Sequence, residues 1–181
     1  MIGSPGTVNA LFVAVDVHYL ADSSARAAIV AARDERFSLI SFTETATVPI
    51  DAPYQPGAFY LRELPALTSV IPTWETLALI VVDGYVNLDP AGRPGLGQHV
   101  HEQFGVPVIG VAKTFFKTAT HAAQVRRGRS ARPLYVTAAG IPIVDAARVV
   151  GEMAGRFRLP AALKLADRLA RGLDQPLPRG G

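Results

Sequence analysis

No cysteine occurs in the 181 residues, which excludes disulfides, thiolate zinc sites and a cysteine nucleophile. Long apolar runs are also missing. The clearest one, 77–82, is far short of the roughly 20 residues that a membrane-spanning helix needs. Residues 1–10 show no basic stretch followed by an apolar segment and a cleavage site, so a cytoplasmic location, away from any membrane, is expected. Charge is sparse: 18% of residues are charged against 49% hydrophobic, and the formal net charge is only +3. That balance describes a folded domain with a buried core. There is no internal repeat and no linker, so one domain over 1–172 is expected, with 173–181 as a frayed, Pro- and Gly-rich tail.

A more local absence carries information about partners. Between 113 and 132 there are six basic residues (Lys113, Lys117, Arg126, Arg127, Arg129 and Arg132) and no Asp or Glu. Such a segment suits a polyanion backbone. Composition alone fits a solvated, arginine-rich loop equally well.

The chain opens with three strand-like stretches, 8–19, 25–32 and 36–45, separated by the turn signals Asp22-Ser23-Ser24 and Asp34-Glu35. Short connections mean antiparallel pairing, because parallel strands need a longer crossover. Leu61, Leu64 and Leu67 space a helix over 59–70 that carries Glu63 and is interrupted by Pro65. The run 77–82 is apolar on both faces and reads as a central strand ending at Asp83-Gly84. A helix over 95–104, strands at 106–111 and 134–137, and amphipathic helices at 143–156 and 160–171 complete the order. The fold class is α/β: a mixed sheet beginning with a three-stranded antiparallel meander, with helices on both faces.

Between the third strand and the first helix lies Ala52-Pro53-Tyr54-Gln55-Pro56-Gly57. Its two prolines fix φ and push their predecessors out of the helical region, so the loop is stiff and presents Tyr54 on a ridge. It leads directly to Arg62-Glu63. Asp16 interrupts one apolar strand and Asp83 ends another. An ionised carboxylate is costly in such a context without a partner. If the two strands are neighbours, Asp16 and Asp83 converge and Glu63 can reach the same point. Three clustered carboxylates call for a hard cation, Mg²⁺ with Mn²⁺ as a substitute, and phosphodiester hydrolysis is the chemistry that uses one. Taken singly, Glu63 and Asp83 read as a helix-surface charge and a turn residue.

The same residues carry a resemblance. Val15-Asp16-Val17, Ala25-Arg26-Ala27-Ala28, Pro53-Tyr54-Gln55-Pro56-Gly57 and Arg62-Glu63 resemble the endonuclease V family. So do Val82-Asp83-Gly84, Pro90, Gly95-Leu96-Gly97-Gln98-His99, Gly110-Val111-Ala112-Lys113, and Arg158-Leu159-Pro160 with Ala166-Asp167. The similarity covers about 13–170 in the same order. It implies an RNase H-like fold and metal-dependent cleavage 3′ to a deaminated base, hypoxanthine (inosine), in DNA or RNA, in nucleic-acid repair or turnover. By position, Asp16, Glu63 and Asp83 would be the metal carboxylates, and Lys113 a phosphate contact or charge stabiliser. Pro53, Tyr54, Gln55 and Pro56 would be a strand-separating wedge, filling the gap an extruded base leaves. Gly84, Gly95, Leu96 and Gly97 would form the base pocket, and His99 would sit at its rim or pack a helix. A monomer is expected.

The sequence also departs from that pattern. The family's Gly-His pair after the last strand is absent: 136–142 contains no histidine. Asp145 or Asp89 are left as substitutes. The family's His-Pro-Arg reads Asp89-Pro90-Ala91, and its N-terminal helical segment is missing. An alternative reading is therefore a nucleic-acid binder that kept the wedge and the basic segment but lost full catalysis. A small-molecule enzyme on the same fold is a more distant third.

Overall fold

The structure, a computed structural model, describes residues 10–51, 53 and 60–179. Seven strands form one sheet in the order β3-β2-β1-β4-β5-β7-β6. The expected meander is present: β1 (Leu11–Tyr19), β2 (Ser24–Ala32) and β3 (Ile40–Pro49) pair antiparallel in sequence order. The chain then crosses through α1 (Tyr60–Val70), and β4 (Leu77–Asp83) lies parallel to β1. A second crossover, through α2 (Leu96–Phe104), places β5 (Val108–Ala112) parallel to β4. Two antiparallel strands, β6 (Ala123–Val125) and β7 (Leu134–Ala139), close the far edge. Helices α3 (Ile143–Glu152) and α4 (Ala161–Ala170) follow.

Alternation along the strands builds two cores. Val13, Val15, Ile80 and Val82 face α1, which contributes Ala66, Leu67 and Val70. Ala14, Val81, Ile109 and Val111 face the opposite side, under Val149 of α3 and Leu163, Ala166 and Leu169 of α4. Helices therefore cover both faces, and β1 and β4, apolar on both sides, are central.

The segment after β4 is held by close backbone approach. Gly84 turns with φ 132°, a value that L side chains rarely adopt. A Cβ on Gly110 would come within 2.6 Å of the Gly84 carbonyl and 2.7 Å of the Val86 nitrogen. The buried Thr137 hydroxyl accepts the Val86 N–H at 2.8 Å, so β7 fixes the loop that follows Asp83.

Several elements differ from the sequence-based expectation, among them β3, which runs over Ile40–Pro49 rather than 36–45 because the chain still turns at Phe37, with φ 54°. Strand β6 was not expected; three residues on a sheet edge carry too little periodicity to read. Helix α3 stops at Glu152 rather than 156, because the chain turns at Gly155 with φ 108° and its carbonyls are taken by Arg127. The stretch 173–179 is docked rather than frayed. Leu177 exchanges hydrogen bonds with Thr43 through its own N–H (2.6 Å) and carbonyl (2.9 Å), and Arg179 pairs with Glu44 at 2.7 Å. The tail thus covers part of β3, a sheet edge that would otherwise present free ladder groups.

Candidate nuclease site

Register brings the charged residues together. Val15 lies beside Val82 in the parallel β1–β4 pair, and Asp83 beside Val111 in the β4–β5 pair. Along β1 the row that contains Ala14 continues to Asp16. Along β4 the row with Val81 continues to Asp83, and beyond β5 the row with Val111 continues to Lys113. Three apolar rows on the α4 side of the sheet therefore end in two carboxylates and an ammonium. Glu63 arrives from α1 on the other face, one helical turn before the buried Leu67. Asp16, Glu63 and Asp83 line a single cavity with Val15, Leu67 and Leu96.

The cavity is small, about 30 Å³; a water needs roughly 10–15 Å³ by this kind of measure. Burial, and then the charge of Asp83, push the Asp16 carboxyl from its ordinary 3.8 up to about 7. Burial also raises the Glu63 carboxyl, outweighing the opposing hydrogen bond from the Tyr19 hydroxyl, 3.1 Å from Oε1. Arg62 lies 4.9 Å over the Tyr19 ring. The Lys113 ammonium sits 2.5 Å from Asp83 Oδ2. Burial pulls that ammonium down, but the hydrogen bond and charge of Asp83, with Asp16 and Asp167 behind it, prevail and hold it above the usual lysine value. These are hard oxygen donors around a pocket sized for one or two small bodies, short of the positive charge that would let all of them ionise. A divalent hard cation fits that donor set. Among the described residues, however, no three such side chains stand close enough together to hold an ion as placed. The expected convergence is on one cavity, short of coordination distance, with Tyr19 engaging Glu63 and Lys113 engaging Asp83.

A fourth acidic group, Asp167 of α4, acts on the same site. Its charge raises both the Asp16 carboxyl and the Lys113 ammonium, and Arg171 holds it at 2.8 Å. The two substitutes named from sequence are engaged elsewhere. Asp89 caps the Arg93 N–H at 3.0 Å and pairs with its side chain at 3.4 Å. Asp145 begins α3, where its charge acts on Arg148. A signal for Asp167 was present: it follows Leu163 and Ala166 on the buried stripe of an amphipathic helix, where an acid is costly without a role. Tyr19 and Arg158 were missed as well. Arg158 donates through Nη2 to the carbonyls of Lys113 and, at 2.7 Å, of Pro133, anchoring the backbone that carries Lys113.

Next to the cavity, sharing Glu63 and Leu96 with it, is a second pocket of about 380 Å³ walled by Tyr60, Tyr85, Gly95 and Phe116. That size suits a small planar ligand. Gly95 and Leu96, two of the expected pocket residues, line it. Gly97 serves packing, since a Cβ there would come within 2.7 Å of a Val86 methyl, and Gly84 makes the turn after β4. His99 stacks on Tyr60 at 3.6 Å between centroids, behind the pocket wall. Of the expected wedge, Pro53 is exposed; Tyr54, Gln55 and Pro56 lie outside the described residues.

Comparison with known proteins agrees with this architecture. The family profile described as Endonuclease V matches residues 4–140. Endonuclease V of Thermococcus kodakarensis is 30% identical over 159 residues, covering 88% of this chain and 77% of its own. The crystal structure of endonuclease V from Streptomyces avermitilis superposes with a TM-score of 0.76 at 24% identity, over 93% of this chain and 82% of that one. That of the Ciona intestinalis enzyme, in complex with a 24mer DNA containing an inosine followed by a ribo-adenosine, gives 0.68 at 18% identity over 90% and 84%. These two likenesses show the fold, an RNase H-like mixed sheet, and the profile with the Thermococcus relative shows the lineage: the chain belongs to the endonuclease V family.

Proposed function

We propose that this protein is a divalent-metal-dependent endonuclease that hydrolyses a phosphodiester bond 3′ to a deaminated base, hypoxanthine above all, in DNA or RNA. The observation that carries the reading is the meeting of Asp16, Glu63 and Asp83, from three separate elements, on one small cavity beside a 380 Å³ aromatic pocket. Held by these carboxylates, with Asp167 behind them, Mg²⁺ or Mn²⁺ would supply Lewis acidity toward the phosphate and lower the pKa of an attacking water.

The protein's own residues do the rest. Asp16 and Glu63, whose carboxyls burial has raised, gain most from a cation and so make the site responsive to one. Lys113 pairs with Asp83 at 2.5 Å, and its ammonium can exchange that carboxylate for a phosphate oxygen and offset charge that builds during cleavage. Arg158 holds the Lys113 backbone in place for that exchange. Tyr60, Tyr85 and Phe116 offer apolar walls for a base taken out of its stack. Pro53, Tyr54, Gln55 and Pro56 remain the proposed wedge that keeps the strand open beside it.

The test is incubation of matched inosine- and adenosine-containing oligonucleotides, as DNA and as RNA, with Mg²⁺, Mn²⁺ or EDTA. Nicking confined to the inosine strands, dependent on the metal, and leaving 3′-hydroxyl and 5′-phosphate ends is expected. Absence of cleavage above background with either metal sinks the proposal.

A further inference from the structure

On the other flank of α4 lies a groove that the carboxylate site does not use. It is open, about 870 Å³, and lined by Arg129, Arg156, Phe157, Arg158 and Lys164, with no acidic side chain among the described residues of its walls. Phe157 is 56% exposed, so one face of its ring is open to a ligand. The cations beside it are Arg156, 4.9 Å from the ring, and Lys164, 5.4 Å from it.

The platform is held rigid by a buried arginine. Arg127 is only 6% exposed and, among the described residues, has no carboxylate partner. Its guanidinium donates to the carbonyls of Met153, Gly151 (3.5 Å), Gly155 (3.0 Å), Phe157 (3.2 Å) and Arg158 (3.3 Å). The 153–158 turn is thereby pinned while its positive charge stays uncancelled. The adjoining loop is clamped to the same turn: Gly128 has φ 59°, and a Cβ there would meet the Arg156 carbonyl at 2.5 Å. Arg129 and Phe157 are thus held on two loops locked backbone to backbone.

The groove and the carboxylate site are linked through α4 and Arg158. Lys164 and Asp167 are three residues apart on α4, so their side chains are neighbours where the two flanks of the helix meet. Arg158 belongs to the groove wall and also holds the Lys113 carbonyl.

We infer that this groove binds the single-stranded flank of the nucleic-acid substrate, with a base stacked on Phe157 and phosphates on Arg129, Arg156 and Lys164. A fixed aromatic ring among cations is what sequence-independent single-strand binding uses. Exposed cation–π contacts are weaker than base stacking, so Arg156 and Lys164 can leave the ring for phosphates when a base arrives. The inference rests on the proposed reading of a nucleic-acid substrate and adds where the strand runs.

The experiment measures anisotropy of a labelled single strand of about 20 nucleotides without a deaminated base, and of its duplex, in EDTA across a salt series. The proteins are wild type, Phe157→Ala, Phe157→Trp and the double variant Arg156→Ala/Lys164→Ala. Phe157→Ala should weaken single-strand binding about 5- to 100-fold, while Phe157→Trp retains it. The double variant should flatten the salt slope by about 1 to 2. On an inosine oligonucleotide with long flanks, KM should rise in the alanine variants with kcat within about twofold. Unchanged single-strand affinity and salt slope in the alanine variants overturn the inference, and so does a loss confined to the duplex. The two proposals separate cleanly. Phe157-dependent binding without inosine cleavage keeps the groove and removes the nuclease; cleavage with unaltered affinity and KM does the reverse.

Discussion

Two flanks of one helix carry opposite chemistry. Around Asp167, burial crowds carboxylates together and the protein bears the cost in raised proton affinities. Around Lys164, a buried arginine spends its donors on backbone carbonyls, so the cations beside it need no acid. The first region is incomplete without an added positive charge, and the second is already satisfied. Instability points to the reacting centre, and a stable, pre-built surface points to substrate positioning. The difference between them can be broken or sharpened in several ways.

The largest effect is expected at the carboxylates. Asp16→Ala or Asp83→Asn should reduce inosine-dependent cleavage by about 10³-fold or more, since loss of cation-based charge stabilisation is worth several kcal/mol at about 1.4 kcal/mol per decade; a gel-based single-turnover assay measures it. Retained activity in either variant breaks the assignment. Asp167→Asn should cost about 10- to 100-fold, the usual range for groups that support a metal site without forming its centre. Its effect should shrink as Mn²⁺ concentration is raised, whereas a purely structural role predicts no such rescue.

Stability should move the other way at Asp16. Its folded pKa, about 7, lies above the ordinary 3.8. Between those values the native state keeps a proton that the unfolded chain has lost, so this group lowers stability progressively as pH rises from about 4 to about 7. The ceiling on that penalty is about 4 kcal/mol, at 1.36 kcal/mol per pKa unit. Asp16→Asn removes it: in EDTA the variant should melt higher than wild type at pH 8 and nearly level with it at pH 4. A melting difference that does not grow across that window contradicts the burial argument.

On the opposite flank, Arg127→Met should destabilise by about 2–3 kcal/mol, because carbonyls lose a charged donor; urea unfolding reads it. The smallest effect is expected at the tail. Deleting residues after Gly172 should cost on the order of 1 kcal/mol, for loss of the Leu177–Thr43 hydrogen bonds and the exposed Arg179–Glu44 pair.

Much of this was legible beforehand, and what was missed has physical causes. The meander, the parallel β4 and the cover of helices follow from apolar spacing and connection lengths, which act locally. Asp16, Glu63 and Asp83 stood out because each sits against apolar sequence. Asp167 was harder to weigh. Its helix was recognised, but an acid followed four residues later by Arg171 looks like an ordinary surface pair. Only the register that ends three apolar rows in Asp16, Asp83 and Lys113 shows what Asp167 faces. Arg127 was read as one of six basic residues in a polyanion-binding segment. Folding removes it from that surface and makes it the support of the Phe157 ring, which no local pattern singles out. The docked tail depends on contacts across 134 residues, Thr43 to Leu177, which no local pattern encodes.

The central claim is that Asp16, Glu63 and Asp83 act together on one divalent cation. Calorimetric titration of Mn²⁺ into wild type and Asp16→Asn at pH 6.5, in two buffers of different ionisation heat, tests it directly. A carboxyl still protonated at that pH must release its proton when a cation binds. Wild type should show saturable binding with a buffer-dependent enthalpy, and Asp16→Asn should lose both the proton release and most of the affinity. Saturable binding of equal strength in the two proteins, or none in wild type, would contradict the account.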